Sequence, residues 1–119
     1  MKQLDLEKLN TAITKFSNER DWDQFHSVKN LSMALSVEAS ELLEIFQWMK
    51  EEESNKVCDD PATLSKVEDE IADIFIYLLR IVNKTGVDLE KIALHKLKKN
   101  AEKYPVDLAK GNSKKYSDL

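Results

Sequence analysis

The sequence predicts an all-α domain, and three observations carry that prediction. Its 119 residues include only two glycines and two prolines, too few turn residues for an all-β chain. Apolar residues recur at helical spacing over long stretches. The punctuation that does occur has the form of helix boundaries: Asp60-Pro61 reads as an N-cap followed by the first helical position, and Gly86 as a residue just past a helix end.

The first helix is predicted from roughly Leu4 to Arg20, where Leu6, Leu9, Ile13 and Phe16 form an apolar stripe. Asp21 to Ser27 breaks the period, and Ser27 is placed to cap the next helix. That second helix is expected from about Val28 to about Glu53, with Leu31, Ala34, Leu35, Leu42, Ile45 and Met49 on its buried side. It gives way to the polar link Ser54 to Asp59. The third helix starts at Pro61 and continues through Val67, Ile71, Ile74, Leu78 and Ile81 towards Lys84. Asp88 caps a fourth, running through Ile92, Leu94 and Leu97 to about Tyr104, where Pro105 stops it. Residues 1–105 are therefore expected to be one domain, and the polar segment 106–119 a flexible or partner-bound tail.

The short link between the second and third helices predicts that they pack antiparallel. The run Ile74 to Leu79 is apolar nearly all round, more than one neighbouring helix covers, so a second subunit is expected against it. The net charge of −4 disfavours nucleic acid as a partner. The lone Cys58 has no internal disulfide partner and fits a reducing compartment. No secretory signal or membrane-spanning run is found, so a soluble protein in the cytoplasm is expected, without a membrane partner.

Two pairs of acids point to chemistry. Glu38 and Glu41 lie one turn apart in the second helix, and Glu70 and Asp73 one turn apart in the third. Glu38 falls between Ala34 and Leu42 at helical spacing, and Glu70 beside Val67 and Ile74. Carboxylates on a core-facing stripe are costly unless neutralised. Antiparallel packing can bring the pairs face to face, and a hard divalent cation is the simplest way to hold them together. A solvated helix face is the ordinary explanation for one Glu-x-x-Glu, and the two pairs alone leave both explanations open. Oxygen-only ligands favour Mg²⁺, with Mn²⁺ as a substitute, over Zn²⁺ or copper. A di-iron bundle needs Glu-x-x-His pairs, and neither His26 nor His95 has a Glu three residues earlier.

Magnesium held by a few carboxylates keeps positions for water and substrate phosphates, which points to phosphate chemistry. Lys96, Asn100 and Lys103 share one side of the fourth helix and could grip a polyphosphate, although taken alone they are more simply explained as a solvated basic face. Trp22, Trp48 and Tyr77 occur beside the acidic segments, where a nucleobase could stack on them. Core packing is the default for each singly. His26 reads as a capping or structural residue.

These residues together resemble a known family. Glu38-x-x-Glu41, twenty-eight intervening residues and Glu70-x-x-Asp73 are similar to the signature of the all-α nucleoside triphosphate pyrophosphohydrolases of the MazG superfamily. Glu19 to Leu31, Glu41 to Trp48 and the closing Lys96-x-x-x-Asn100-x-x-Lys103-Tyr104-Pro105 resemble its dCTP pyrophosphatase-like branch, over roughly residues 5 to 106. The resemblance implies a four-helix MazG-like bundle completed by oligomerisation, as a homotetramer built from a dimer of dimers. It implies Mg²⁺-dependent conversion of a nucleoside triphosphate, dCTP or a modified dCTP by preference, to the monophosphate and pyrophosphate, in cleansing of the nucleotide pool.

By the same resemblance Glu38, Glu41, Glu70 and Asp73 hold the metal, and Glu38 and Glu41 are catalytic. Lys96, Asn100, Lys103 and Tyr104 bind phosphates, Trp22, Trp48 and Tyr77 line the base pocket, and Glu44 supports the metal ligands. The chain departs from the branch at Val28, at Ala39-Ser40 and at Lys103, where relatives commonly have proline, Val-Gly and arginine. Lysine at 103 trades a bidentate fork for a point charge. The rival expectation is a non-enzymatic helical-bundle interaction module, an antitoxin or adaptor, whose acids serve only solubility.

Overall fold

A computed structural model of the chain describes residues 2–119. Helix α1 spans Leu6–Glu19 and is capped by Asp5, whose carboxylate accepts from the Lys8 N–H at 3.0 Å. That cap starts the helix after Leu4. Asp21 takes a left-handed conformation (φ 54°), which aspartate tolerates better than most residues and which turns the chain back. A 3₁₀ turn, Asp23–Phe25, comes next, and Ser27 caps α2, Val28–Phe46, by accepting from the Asn30 N–H.

The second helix thus ends at Phe46, well short of the expected Glu53. Met49 bonds back to the Phe46 carbonyl at 2.9 Å in a tight turn, and Lys50 is extended (ψ 154°). A separate short helix α3, Glu51–Ser54, begins there, with three glutamates in its first turn. Acids at that end are favoured by the helix dipole, so the charge-dense run starts a helix rather than extending one.

After a 3₁₀ turn at Val57–Asp59, Asp60 receives the Ala62 N–H and the Thr63 hydroxyl at the start of α4, Pro61–Thr85. The Thr63 hydroxyl holds the Asp60 carboxyl below its ordinary pKa. Gly86 then adopts a positive φ of 71°, the conformation its position after the helix requires.

The chain divides into two units, residues 2–85 and 86–119. In the first, α4 is the spine, and α2, α1 and the Val57–Asp59 turn pack on it. The sense of α2 against α4 is antiparallel, as the link length predicts. Ile45 at the far end of α2, and Met49 in the turn after it, share a cleft with Thr63 and Lys66 at the start of α4. Asp23, just before α2, bonds Arg80 near the end of α4. Among the described residues Leu31, Val67 and Leu79 are the buried apolar ones, whereas Met33, Val37 and Leu43 of α2 and Ile71, Ile76 and Leu78 of α4 stay exposed.

In the second unit, Asp88 caps α5, Leu89–Lys103, by accepting from the Lys91 N–H. Past Pro105 the chain forms α6, Val106–Ala109, and a 3₁₀ turn at Tyr116–Asp118. Tyr116 packs edge-on to Tyr104 and lies under the Lys103 ammonium, 4.8 Å from the ring centre. Among the described residues no helix is long and apolar enough to cross a membrane.

Candidate functional site

The acids of the two long helices meet. Glu38 and Glu41 from α2 and Glu70 from α4 each offer one oxygen to a group in which all three lie within 4.8 Å of one another. Glu38 and Glu70 each bury an Oε2 that receives no hydrogen bond. Two acceptors held face to face repel unless a proton or a cation sits between them. Glu70 is accordingly the main influence on Glu38, followed by burial, Glu41 and Asp73, and together they push the Glu38 carboxyl up to about 7. An all-oxygen donor set with two orphaned acceptors is chemically suited to a hard divalent cation.

Asp73 stands outside that group of three oxygens, one turn further along α4, although its charge acts on Glu38 and Tyr77. Glu44 lines an open cleft of about 570 Å³ together with Glu41, Glu70, Thr63 and Lys66.

A second cleft, of about 400 Å³, contains Trp22, His26, Asp73, Tyr77 and Arg80. It brings Trp22 and Tyr77 together, with Phe16 edge-on to Trp22 at 5.6 Å. Burial, then the charges of Glu38 and Asp73, raise the Tyr77 phenol above its ordinary pKa. Burial, then the Arg80 guanidinium, lower that of His26, whose Nδ1 is buried and unpartnered. Trp48 is placed elsewhere, in the turn after α2, 89% exposed and lining neither cleft.

Lys96, Asn100 and Lys103 lie along α5, and the Tyr104 N–H closes that helix on the Asn100 carbonyl at 2.8 Å. These four belong to the second unit.

Three residues not singled out in the sequence belong to the aromatic cleft or its rim. Arg80 is only 4% exposed, and Asp23 accepts from Arg80 Nη2 at 2.9 Å and from Lys84 Nζ at 2.6 Å. Lys84, and after it Arg80, hold the Asp23 carboxyl below its ordinary pKa. A signal was present. Arg80 interrupts an apolar run, and Asp73, Tyr77, Arg80 and Lys84 recur at helical spacing on one side of α4.

Comparison with known proteins shows the family. The profile of the MazG-like family matches residues 33–119. Bovine (Bos taurus) dCTP pyrophosphatase 1 is 40% identical over 114 residues, which cover 96% of this chain and 68% of that protein. The human (Homo sapiens) dCTP pyrophosphatase 1 is 37% identical over 96% of this chain and 67% of its own. The crystal structure of a pyrophosphatase from Archaeoglobus fulgidus superposes with a TM-score of 0.78 at 35% identity, covering 88% of this chain and 96% of that one. With the family profile spanning most of its length and these relatives matching nearly all of it, the chain belongs to the MazG-like family.

Proposed function

We propose that this protein is a metal-dependent nucleoside triphosphate pyrophosphohydrolase that converts dCTP, or a modified dCTP, to the monophosphate and pyrophosphate. Its role would be cleansing the nucleotide pool. The observation that carries the reading is the convergence of Glu38, Glu41 and Glu70 on one point, with an aromatic cleft beginning at Asp73. The names of the curated relatives support the substrate. An interaction module with acids kept only for solubility gives no account of two buried, donorless carboxylate oxygens.

Glu38, Glu41, Glu70 and Asp73 are the residues proposed to hold Mg²⁺, with Mn²⁺ as a substitute. Bound there, the ion neutralises charge on the substrate phosphates and acidifies water. The chain supplies the rest. Trp22 and Tyr77 flank the base and orient the nucleotide for in-line attack. Glu38 and Glu41 orient the attacking water, with a carboxylate oxygen of that pair receiving its proton, and Glu44 steadies the ligands from the adjoining cleft. Lys96, Asn100 and Lys103 are proposed to bind the phosphates on the strength of their shared side of α5, and Tyr104, at its end, on the resemblance of the closing motif.

Trp48 has no base to meet within one subunit, which fits its proposed base contact only if subunits assemble. The exposed Ile71 and Leu78, two turns apart on one side of α4, support self-association, which the same proposal takes to be a homotetramer. The same proposal takes residues 1–105 as the catalytic domain and 106–119 as an appended tail. It places the protein in the cytoplasm, where its substrate class occurs and where an unpaired Cys58 persists reduced.

The test is a panel of common and modified triphosphates incubated with the protein and Mg²⁺, with the products separated. Monophosphate plus pyrophosphate, fastest from dCTP or a modified dCTP, is expected. Release of inorganic phosphate alone, or no turnover of any triphosphate, overturns the reading.

A further inference from the structure

A buried cation with incomplete hydrogen bonding is costly, and Arg80 is one. Its side chain is 5% exposed, its Nη2 donates to Asp23 Oδ1 at 2.9 Å, and its Nε is buried without an acceptor. Asp23 is more than half exposed, so the burial serves the guanidinium rather than the pair. Lys84 Nζ reaches the same Asp23 oxygen at 2.6 Å, which makes Asp23 the junction of two contacts from one side of α4.

Asp23 begins the 3₁₀ turn that comes after Trp22. The other hydrogen bonds of this segment are local. The Trp22 N–H reaches the Ser17 carbonyl, the Phe25 N–H reaches the Trp22 carbonyl, and Asn30 Nδ2 reaches the Phe25 carbonyl. The chain enters the turn through the left-handed Asp21, a conformation that restricts the backbone without tying it to a neighbouring helix. Among the described residues, the hydrogen bonds that join this turn to α4 are those made by Asp23. Helix α4 also carries Tyr77 and Asp73, so these bonds govern how Trp22 stands relative to Tyr77 across the cleft.

We infer that Arg80 is a positioning residue for the nucleobase: through Asp23 it pins the Trp22 turn to α4 and sets the spacing of the two aromatic walls. This rests on the pyrophosphohydrolase reading above, and it adds a determinant of base binding that lies outside the metal ligands and the stacking residues. Arg80 Nε and His26 Nδ1 are also buried without partners, so Asp23 is the acceptor that holds the Arg80 guanidinium in the wall of the cleft. Lysine at 80 keeps the charge but loses the planar fork, so it substitutes only in part.

The experiment compares Asp23→Asn, Arg80→Met and Arg80→Lys with the wild type in two readouts. In steady-state turnover of dCTP, Asp23→Asn is expected to raise KM about fivefold or more with kcat within about twofold, the pattern of lost binding rather than lost chemistry. Arg80→Met is expected to exceed it and Arg80→Lys to fall between Arg80→Met and wild type. A purely structural role would instead lower kcat with the folded fraction and leave KM unchanged.

The second readout needs no activity. The chain has two tryptophans, so in a Trp48→Phe background the anisotropy of Trp22 reports its mobility in ligand-free protein, and Asp23→Asn is expected to lower it. If Arg80→Met fails to fold, the exposed Asp23 still allows both measurements. Unchanged anisotropy, or lowered anisotropy with unchanged KM, overturns the inference. A wild type that turns over no triphosphate sinks the functional reading instead, and the Trp22 anisotropy then decides whether the pin exists.

Discussion

Glu38 on α2 and Glu70 on α4 turn buried Oε2 atoms towards one acidic cluster, and neither atom receives a hydrogen bond. Helix packing alone would select against that arrangement, because like charges that cannot be hydrated repel. The structure tolerates it where a cation is to be held, and the protein's responses to metal and to pH should both reflect that tolerance.

Replacing Glu41 by glutamine keeps the shape of the side chain and removes one of the three converging charges. The helices are expected to stay folded by circular dichroism, while Mg²⁺-dependent turnover falls by about three orders of magnitude, as loss of several kcal/mol of charge stabilisation implies. Undiminished pyrophosphate release would refute the ligand assignment.

The raised Glu38 pKa sets a pH dependence in metal-free protein. The folded state keeps a proton that the unfolded state releases between about 4.5 and 7. Its contribution is therefore fully present below 4.5 and lost as pH rises through about 7. With solvent screening allowed for, the loss is on the order of 1–2 kcal/mol. Melting curves across this range in chelator should fall with pH, and Mg²⁺ should remove the decline, because the cation replaces the proton. A flat profile in chelator would contradict the carboxyl-to-carboxyl contact.

Ligand that binds only the folded protein must stabilise it. At a hundredfold excess over Kd, Mg²⁺ with a non-hydrolysable triphosphate analogue contributes about 2.7 kcal/mol, which for a chain of this size raises Tm by roughly 10 °C. An interaction module without a nucleotide site would show no rise.

The two tryptophans should behave differently. Trp22→Ala removes a wall of the aromatic cleft and is expected to raise KM for the preferred nucleotide by roughly 5- to 150-fold, the equivalent of about 1–3 kcal/mol of stacking. Trp48→Ala, at 89% exposure within a subunit, should leave stability unchanged within about 0.5 kcal/mol if the protein is monomeric. A large melting shift that depends on protein concentration would show Trp48 packed against another copy.

Exposed apolar residues on α4 make the assembly testable. Leu78→Glu places a charge on the proposed contact face and should lower the mass measured by light scattering. If wild type is already a monomer at micromolar concentration, self-association is wrong.

Much of the fold was legible in the chain. Asp60-Pro61, Ser27 and Asp88 mark helix starts through local hydrogen bonding, and they cap helices in the structure as expected. The acid pairs were legible because a charge at an apolar position of a periodic pattern is visible without coordinates. The end of α2 was not. Residues 47–50 have no helix-breaking glycine or proline, and the extended Lys50 is set by the turn and the new helix start rather than by propensity. Nearness to acids in sequence groups Trp48 with Trp22 and Tyr77, yet within one subunit it lies outside their cleft, because distance along the chain does not determine which side of a turn a ring occupies.

By itself the sequence determined the all-α class, the order of the long helices, the acids on their core-facing stripes and the resemblance to a family, because periodicity, caps and ordered motifs are properties of neighbours along the chain. Only the tertiary structure decided that Glu38, Glu41 and Glu70 share one point while Asp73 turns to the aromatic cleft, and that Asp23 joins Arg80 and Lys84 across 57 and 61 positions. Those contacts depend on how far two helices are offset and rotated when they pack, which the sum of many weak side-chain interactions sets and no single local pattern encodes.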